Sequence, residues 1–325
     1  VSPEQAALKA ALLSQLSGRV GLVTHYNPDG DGLVACLSFQ ELLRLRGVNA
    51  DIVLEKPCPD VYDYLDGRAR TRVMSDDLAY NSLVLLDCHE RERIGACAPL
   101  VDRASVVFAI DHHHERELIP GAHTYIDVDI VSVGGILWEL FASEITAAPE
   151  PARTYMVEAL YTTIINDTDN FLNANTDART FSICAALAGL GLDAGRVAKL
   201  FTWSKTWAEM KLVGEVLAGM KLFADGRVLV MLSTVEMLDR LGLSGDATSK
   251  MTRWVKGMRG VQAVAYFQQT APRSYRLSLR SEGVDVNRIA RMYGGGGHTL
   301  ASGCALEGDY PRLEAQIVAL LEEQL

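Results

Sequence analysis

The chain has 325 residues, of which 49% are apolar and 22% charged, and it carries a formal net charge of −10 at pH 7. This length allows roughly two domains with sizeable cores, and the composition excludes disordered and collagen-like classes. The charge is uneven: residues 1–190 hold 14 Lys and Arg against 27 Asp and Glu, whereas residues 226–325 hold 12 against 10. An acidic half of this kind repels long duplex DNA, whose binding needs many cationic contacts. Cysteines 36, 58, 88, 97, 184 and 304 form no C-x-x-C pair. That excludes a zinc ribbon or disulfide framework and fits a reducing cytoplasm. The apolar runs are too short for a membrane span.

Residues 1–17 read as an amphipathic helix and not a signal peptide. Ser2, Pro3 and Gln5 supply an N-cap, a first-turn proline and a capping-box partner. The chain opens on Val1 instead of Met, which leaves room for residues ahead of it. Strands are expected over 20–25, 50–54, 83–87 and 105–110, with a helix from Leu33 to Arg46 ending near Gly47. Such alternation predicts an α/β domain with a mainly parallel sheet and helices on both faces. Helices then follow over 131–147, 153–166, 176–190 and 193–220. Strands over 227–233, 261–269 and 274–281 and helices over 245–257, 285–293 and 309–324 make a smaller α+β domain. The expected division is 1–195, a helical linker 196–220, and 221–325.

Three of the apolar strands finish in acids and imidazoles. The first runs into His25-x-x-x-Asp29-x-Asp31, the third ends at Asp87, and the fourth runs into Asp111-His112-His113-His114. In a parallel sheet these ends share one edge, where ligands bind. Such groups repel or are costly to desolvate unless a cation joins them. An Asx turn that caps the next helix through Asp31 is the plain alternative for the first motif. Asp167 closes an apolar helix, where a cation offsets the unfavourable dipole, and Asp169 offers the same. Carboxylates with a few imidazoles and no thiolate favour Mn²⁺ or Mg²⁺, with Zn²⁺ or Co²⁺ open. A shared Asp between two ions would make a two-metal hydrolytic site.

The second half adds nine basic residues within 250–291, from Lys250 to Arg291, and the run Tyr293-Gly294-Gly295-Gly296-Gly297-His298. Four glycines allow close backbone approach and present N–H groups to an anion, so the run reads as a phosphate cradle, with a flexible linker as the alternative. Each basic residue taken singly also reads as a solvated surface group.

Together and in order, these motifs resemble the DHH phosphoesterase superfamily, named for the triplet that stands here as Asp111-His112-His113. The second half resembles its DHHA1 companion domain, through Gly294–His298, Ser278-Leu279-Arg280 and the stretch 284–290. The likeness runs from about residue 18 to 321. Within the superfamily the chain resembles the oligoribonuclease (nanoRNase) and pAp-phosphatase branch. It lacks the extra length of RecJ-type exonucleases, the different C-terminal domain of family II pyrophosphatases, and the membrane and sensor segments of cyclic-dinucleotide phosphodiesterases.

This resemblance implies a two-domain enzyme with its active site in the interdomain cleft. His25, Asp29 and Asp87 would hold one ion. Asp31, Asp87, His112 and Asp167 would hold the other, with Asp87 as bridge. Asp111 would orient or tune the histidines and His113 would contact the scissile phosphate or assist the leaving oxygen, which makes Asp87, Asp111 and His113 the catalytic set. Ser278, Arg280, Gly295, Gly296, Gly297 and His298 would grip a terminal phosphate. His114, and His89 two residues after Asp87, depart from the pattern and leave the ligand assignment open to a shift. The implied cofactor is a pair of Mn²⁺ ions, with Mg²⁺ or Co²⁺ as alternatives. The implied substrates are short single-stranded RNA and phosphorylated nucleotides such as 3′-phosphoadenosine 5′-phosphate (pAp). Cyclic or linear dinucleotides, pyrophosphate or short polyphosphate, and a non-catalytic nucleotide-binding role are the rivals. No membrane partner is expected, and a homodimer is left open.

Overall fold

The structure is a computed structural model that describes residues 2–115, 117–248 and 251–325. Lys250 and part of the stretch 245–257 lie outside the described residues. The chain divides into two compact units, one ending at Ser204 and the other running from Lys205 to Leu325.

The first unit is built on six parallel strands: β1 (Val20–Val23), β2 (Ala50–Leu54), β3 (Thr71–Val73), β4 (Ser82–Leu86), β5 (Val106–Asp111) and β6 (His123–Ile126). Their order is β3-β2-β1-β4-β5-β6. β1 and β4 are buried throughout, as continuous apolar runs in a covered parallel sheet should be. The two faces are covered unequally. Helices Gly32–Leu45, Val133–Ala147 and Ala152–Asp167 pack with Leu22, Val84, Phe108 and Ile110 on one side. On the other, Ile94, Cys97 and Leu100 from a short 3₁₀ turn and helix cover Val23, Leu85 and Ala109. The expected N-terminal capping box forms, with Ser2 and Gln5 bonding reciprocally.

Several elements differ from expectation. β3 and β6 are short edge strands with too few apolar residues to stand out. The single helix expected over 193–220 is two, Ala194–Thr202 and Trp207–Ala218, and Thr206 with Glu209 makes a new capping box at the break. In the stretch 245–257 the described residues form the 3₁₀ turns Gly245–Thr248 and Met251–Val255. Among the described residues no single helix is long and apolar enough to cross a membrane.

The second unit has a six-stranded mixed sheet: β7 (Lys221–Phe223), β8 (Val228–Ser233), β9 (Ala263–Ala271), β10 (Ser274–Ser281), β11 (Gly296–His298) and β12 (Ala301–Glu307). The order is β11-β12-β10-β9-β8-β7, and only β8 and β9 run parallel. Tyr275, Leu277 and Leu279 of β10 point into a core closed by helices Val286–Met292 and Tyr310–Glu322. On the opposite face, Leu229, Met231, Val264 and Tyr266 pack with helices Trp207–Ala218 and Val235–Leu241. That second core takes no residue from β10, β11 or β12.

Candidate metal centre and anion-binding face

The strand order reverses direction between β1 and β4, so the loops leaving these two strands flank the crevice where ligands bind in open α/β sheets. His25, Asp29 and Asp31 lie on the loop after β1, and Asp87 directly follows β4. Asp87 sits in the left-handed region at φ 62°, which Asp tolerates better than most residues. Its N–H donates to Ile110 O at 3.0 Å.

Asp29, and not Asp31, serves the helix start. Asp29 Oδ1 accepts the N–H groups of Asp31 and Gly32 at 2.9 and 3.3 Å. The buried Asp31 carboxylate instead accepts from Val133 and Gly134, at 2.7 and 3.2 Å. These are the first N–H groups of helix Val133–Ala147, whose dipole favours an anion there. The sequence reading missed this second anchor. Its signal was Ser132 followed by Val133, Gly134 and Gly135, an N-cap ahead of an unencumbered first turn.

Two ligand groups result, one of His25, Asp29 and Asp87, the other of Asp31, His112 and Asp167, and a third set, Asp87, Asp111, His112 and His113, overlaps both. His25 Nε2 lies 3.3 Å from Asp87 Oδ2 and 3.8 Å from Asp29 Oδ1. His112 Nε2 lies 3.1 Å from Asp167 Oδ2, 3.4 Å from Asp31 Oδ2 and 3.5 Å from Asp87 Oδ1. Asp87 thus turns one oxygen to each group. Asp167 faces His112, whereas Asp169 belongs to neither group. Asn173 and Asn175 donate to Asp167 O and hold that helix end. His114 is exposed and His89 is buried beneath Asp111, and neither joins a ligand group.

The charges show how strongly the groups are coupled. Burial opposes ionisation of His25, yet the bonds to Asp29 and Asp87 outweigh it and push the imidazole up to about 9. Burial likewise opposes charge on His112, but Asp167 and Asp87 push it up to about 12. Asp31 is driven well above the carboxylate range by burial, with Asp167 and Asp87 adding repulsion. Burial acts against ionised Asp87 too, but His112, His113 and His25 hold it well below that range. Even so, among the described residues Asp87 Oδ1 and His112 Nε2 are buried with ion-pair contacts but no hydrogen bond. Orphaned donor atoms of this kind, in an oxygen and imidazole set without thiolate, fit hard or borderline divalent cations.

In the second unit, antiparallel register aligns two rows on one face. Arg280 pairs with Ala301, which pairs with His298; Ser278 pairs with Gly303, which pairs with Gly296. Arg276 shares that face two residues further along β10, and among the described residues neither arginine has a carboxylate partner. The glycine run is a sheet edge instead of a free loop. A Cβ at Gly295 would lie 2.2 Å from Gly303 O, and one at Gly297, where φ is 144°, would lie 2.6 Å from Ala301 O. Glycine here lets β11 lie flush against β12, while its outer side keeps N–H groups outside the ladder.

Residues 19–164 match the DHH family, N-terminal domain, and residues 227–325 match the DHHA1 domain. The bifunctional oligoribonuclease and PAP phosphatase NrnA of Thermus thermophilus is 26% identical over 99% of this chain and 95% of that protein. A probable protein of the same description from Streptococcus mutans is 28% identical over 86% of each. An exopolyphosphatase-related protein from Bacteroides fragilis shares the fold, with a TM-score of 0.87 over 98% of this chain and 96% of that one at 18% identity. With both domains matched in order and together spanning most of its length, the chain belongs to the DHH/DHHA1 phosphoesterase superfamily.

Proposed function

We propose that this protein is a Mn²⁺-dependent phosphoesterase that hydrolyses short oligoribonucleotides and pAp to 5′-mononucleotides. The observation that carries the reading is the pair of ligand groups between which Asp87 stands, one oxygen 3.3 Å from His25 and the other 3.5 Å from His112. His25, Asp29 and Asp87 would hold one ion, and Asp31, Asp87, His112 and Asp167 the other. Bound divalent ions supply a water that is nucleophilic at neutral pH and neutralise charge on the phosphoryl oxygens. The protein's own groups do the rest. Asp31 is fixed by two backbone N–H groups, so its carboxylate is preorganised before any ligand arrives. His113 is the most exposed imidazole of the cluster, at 36% for its side chain, which suits contact with the scissile phosphate. Asp111 receives its Nδ1 at 2.8 Å and orients the ring. Ser278, Arg280 and His298, with Gly295, Gly296 and Gly297, suit a distal phosphate, since a guanidinium pairs well with phosphate oxygens and Arg280 spends only one N–H on the Leu279 carbonyl, at 2.8 Å. The acidic charge of the first unit argues for compact substrates and against long duplex DNA.

The test is a substrate panel with Mn²⁺ and with chelator: pAp, a dinucleotide, a pentanucleotide, a cyclic dinucleotide and pyrophosphate. The expected result is Mn²⁺-dependent release of mononucleotide from pAp and the short RNAs. Hydrolysis confined to pyrophosphate, or turnover that survives chelation, would refute the reading.

A further inference from the structure

We propose that His89 is a positioning residue that holds His113 through Asp111. The inference rests on the phosphoesterase reading above, in which His113 meets the substrate. The His89 side chain is fully buried, and its Nδ1 lies 2.6 Å from Asp111 Oδ2. Asp111 is also fully buried and divides its oxygens between separate partners. Oδ1 accepts the N–H groups of His112 and His113, at 2.7 and 3.1 Å, and takes His113 Nδ1 at 2.8 Å. Oδ2 takes His89.

An ionised carboxylate only accepts hydrogen bonds. Both imidazoles therefore present Nδ1–H to Asp111, and His113 is left with Nε2 directed away from it. A carboxylate partner of this kind fixes both the tautomer and the ring plane of a histidine. Removing His89 leaves Oδ2 buried without that donor, a costly state that the carboxylate relieves by turning. Turning moves Oδ1 away from His113. The remaining contacts of His89 point to no other duty. Among the described residues its Nε2 makes no hydrogen bond, Glu90 Oε1 stands 3.9 Å away, and the residue belongs to no ligand group. The local backbone explains how it gets there. The left-handed turn at Asp87 redirects the chain, so that residue 89 reaches Asp111 at the end of the neighbouring strand β5.

Two amides separate positioning from packing. His89→Asn keeps a donor near the place of Nδ1, whereas His89→Gln carries its donor toward the place of Nε2. In the full chain with saturating Mn²⁺ and pAp, His89→Gln and His89→Leu are expected to lower kcat by about 10- to 100-fold. KM and Mn²⁺ affinity should hold, and His89→Asn should recover most of the loss. With diamagnetic Mg²⁺ in place of Mn²⁺, spectra of the His113 ring should show a strongly hydrogen-bonded Nδ1–H proton in the wild type and the Asn variant, and a weakened one in the Gln variant. A Gln variant as fast as the wild type, or an Asn variant as slow as Gln with the His113 spectrum unmoved, would overturn the proposal. Should His89→Leu fail to fold, the Asn and Gln pair decides. Should the wild type not turn over pAp, the phosphoesterase reading fails, and the His113 spectra still judge His89.

Discussion

Replacing Asp87 by Asn removes one negative charge and keeps the backbone, because Asn also tolerates the left-handed conformation found at φ 62°. Asp87→Asn is expected to fold with an unchanged circular dichroism spectrum and to lose Mn²⁺-dependent turnover by about 10²- to 10³-fold or more, the scale on which one preorganised electrostatic group acts. Substantial Mn²⁺-dependent turnover in that variant would remove Asp87 from its bridging role. The histidines set a pH dependence. In the metal-free protein His25 and His113 are each raised from 6.5 to about 9, where burial is outweighed by Asp29 and Asp87 for the first and by Asp111 and Asp87 for the second. A raised folded-state pKa contributes stability that is full below pH 6.5 and lost as pH climbs through 9. The chelated protein should therefore melt at lower temperature as pH rises across that window. Metal binding must displace the His25 proton, so Mn²⁺ affinity should rise over the same range. Melting curves with chelator and titrations with Mn²⁺ check the two opposite slopes. The residue types and their places after strands were legible in the sequence. The contact of Asp111 with His89 and the anchoring of Asp31 were not, because each depends on a partner from another part of the chain.

Helix Gly32–Leu45 begins against the candidate metal centre, and its first residue is constrained by space. A Cβ on Gly32 would lie 2.0 Å from Thr24 Oγ1 and 3.1 Å from Asp87 Cβ. Gly32→Ala is expected to cost roughly 1–3 kcal/mol of stability, as overpacking does, and to weaken Mn²⁺ binding by moving Asp87. Urea denaturation and metal titration of that variant test both. Wild-type values would mean that Thr24 yields freely. Elements with a strong local signal were read correctly: the buried runs that became β1, β2, β4 and β5, and the alternating β10. Elements whose partners create them were not. β3 and β6 are brief edges, and β11 is three residues of Gly-Gly-His that pair only because β12 lies beside them. The break at Trp203–Thr206 was legible in its capping box but was overridden by the apolar periodicity on either side.

For the molecule as a whole, the candidate ligand groups and the arginine face fall in different units. The ligand groups lie in the unit that ends at Ser204, and Arg276 and Arg280 lie in the unit that begins at Lys205. Arg280→Ala should therefore leave Mn²⁺ affinity unchanged and raise KM for pAp by about 10- to 100-fold, the equivalent of one charge-assisted hydrogen bond. A change in kcat alone would argue against anchoring by Arg280. The sequence by itself determined the α/β unit followed by the smaller mixed unit, the acidic and basic halves, and which acids and imidazoles follow the strands as candidate ligands, because hydrophobic period and side-chain chemistry are local properties. Tertiary structure alone decided which acid each imidazole meets: Asp167 over Asp169 for His112, Asp111 for His89, and backbone N–H groups for Asp31. Strand register, helix starts and one left-handed turn bring those atoms within a few ångströms, and distance in space leaves no mark on the order of residues along a chain.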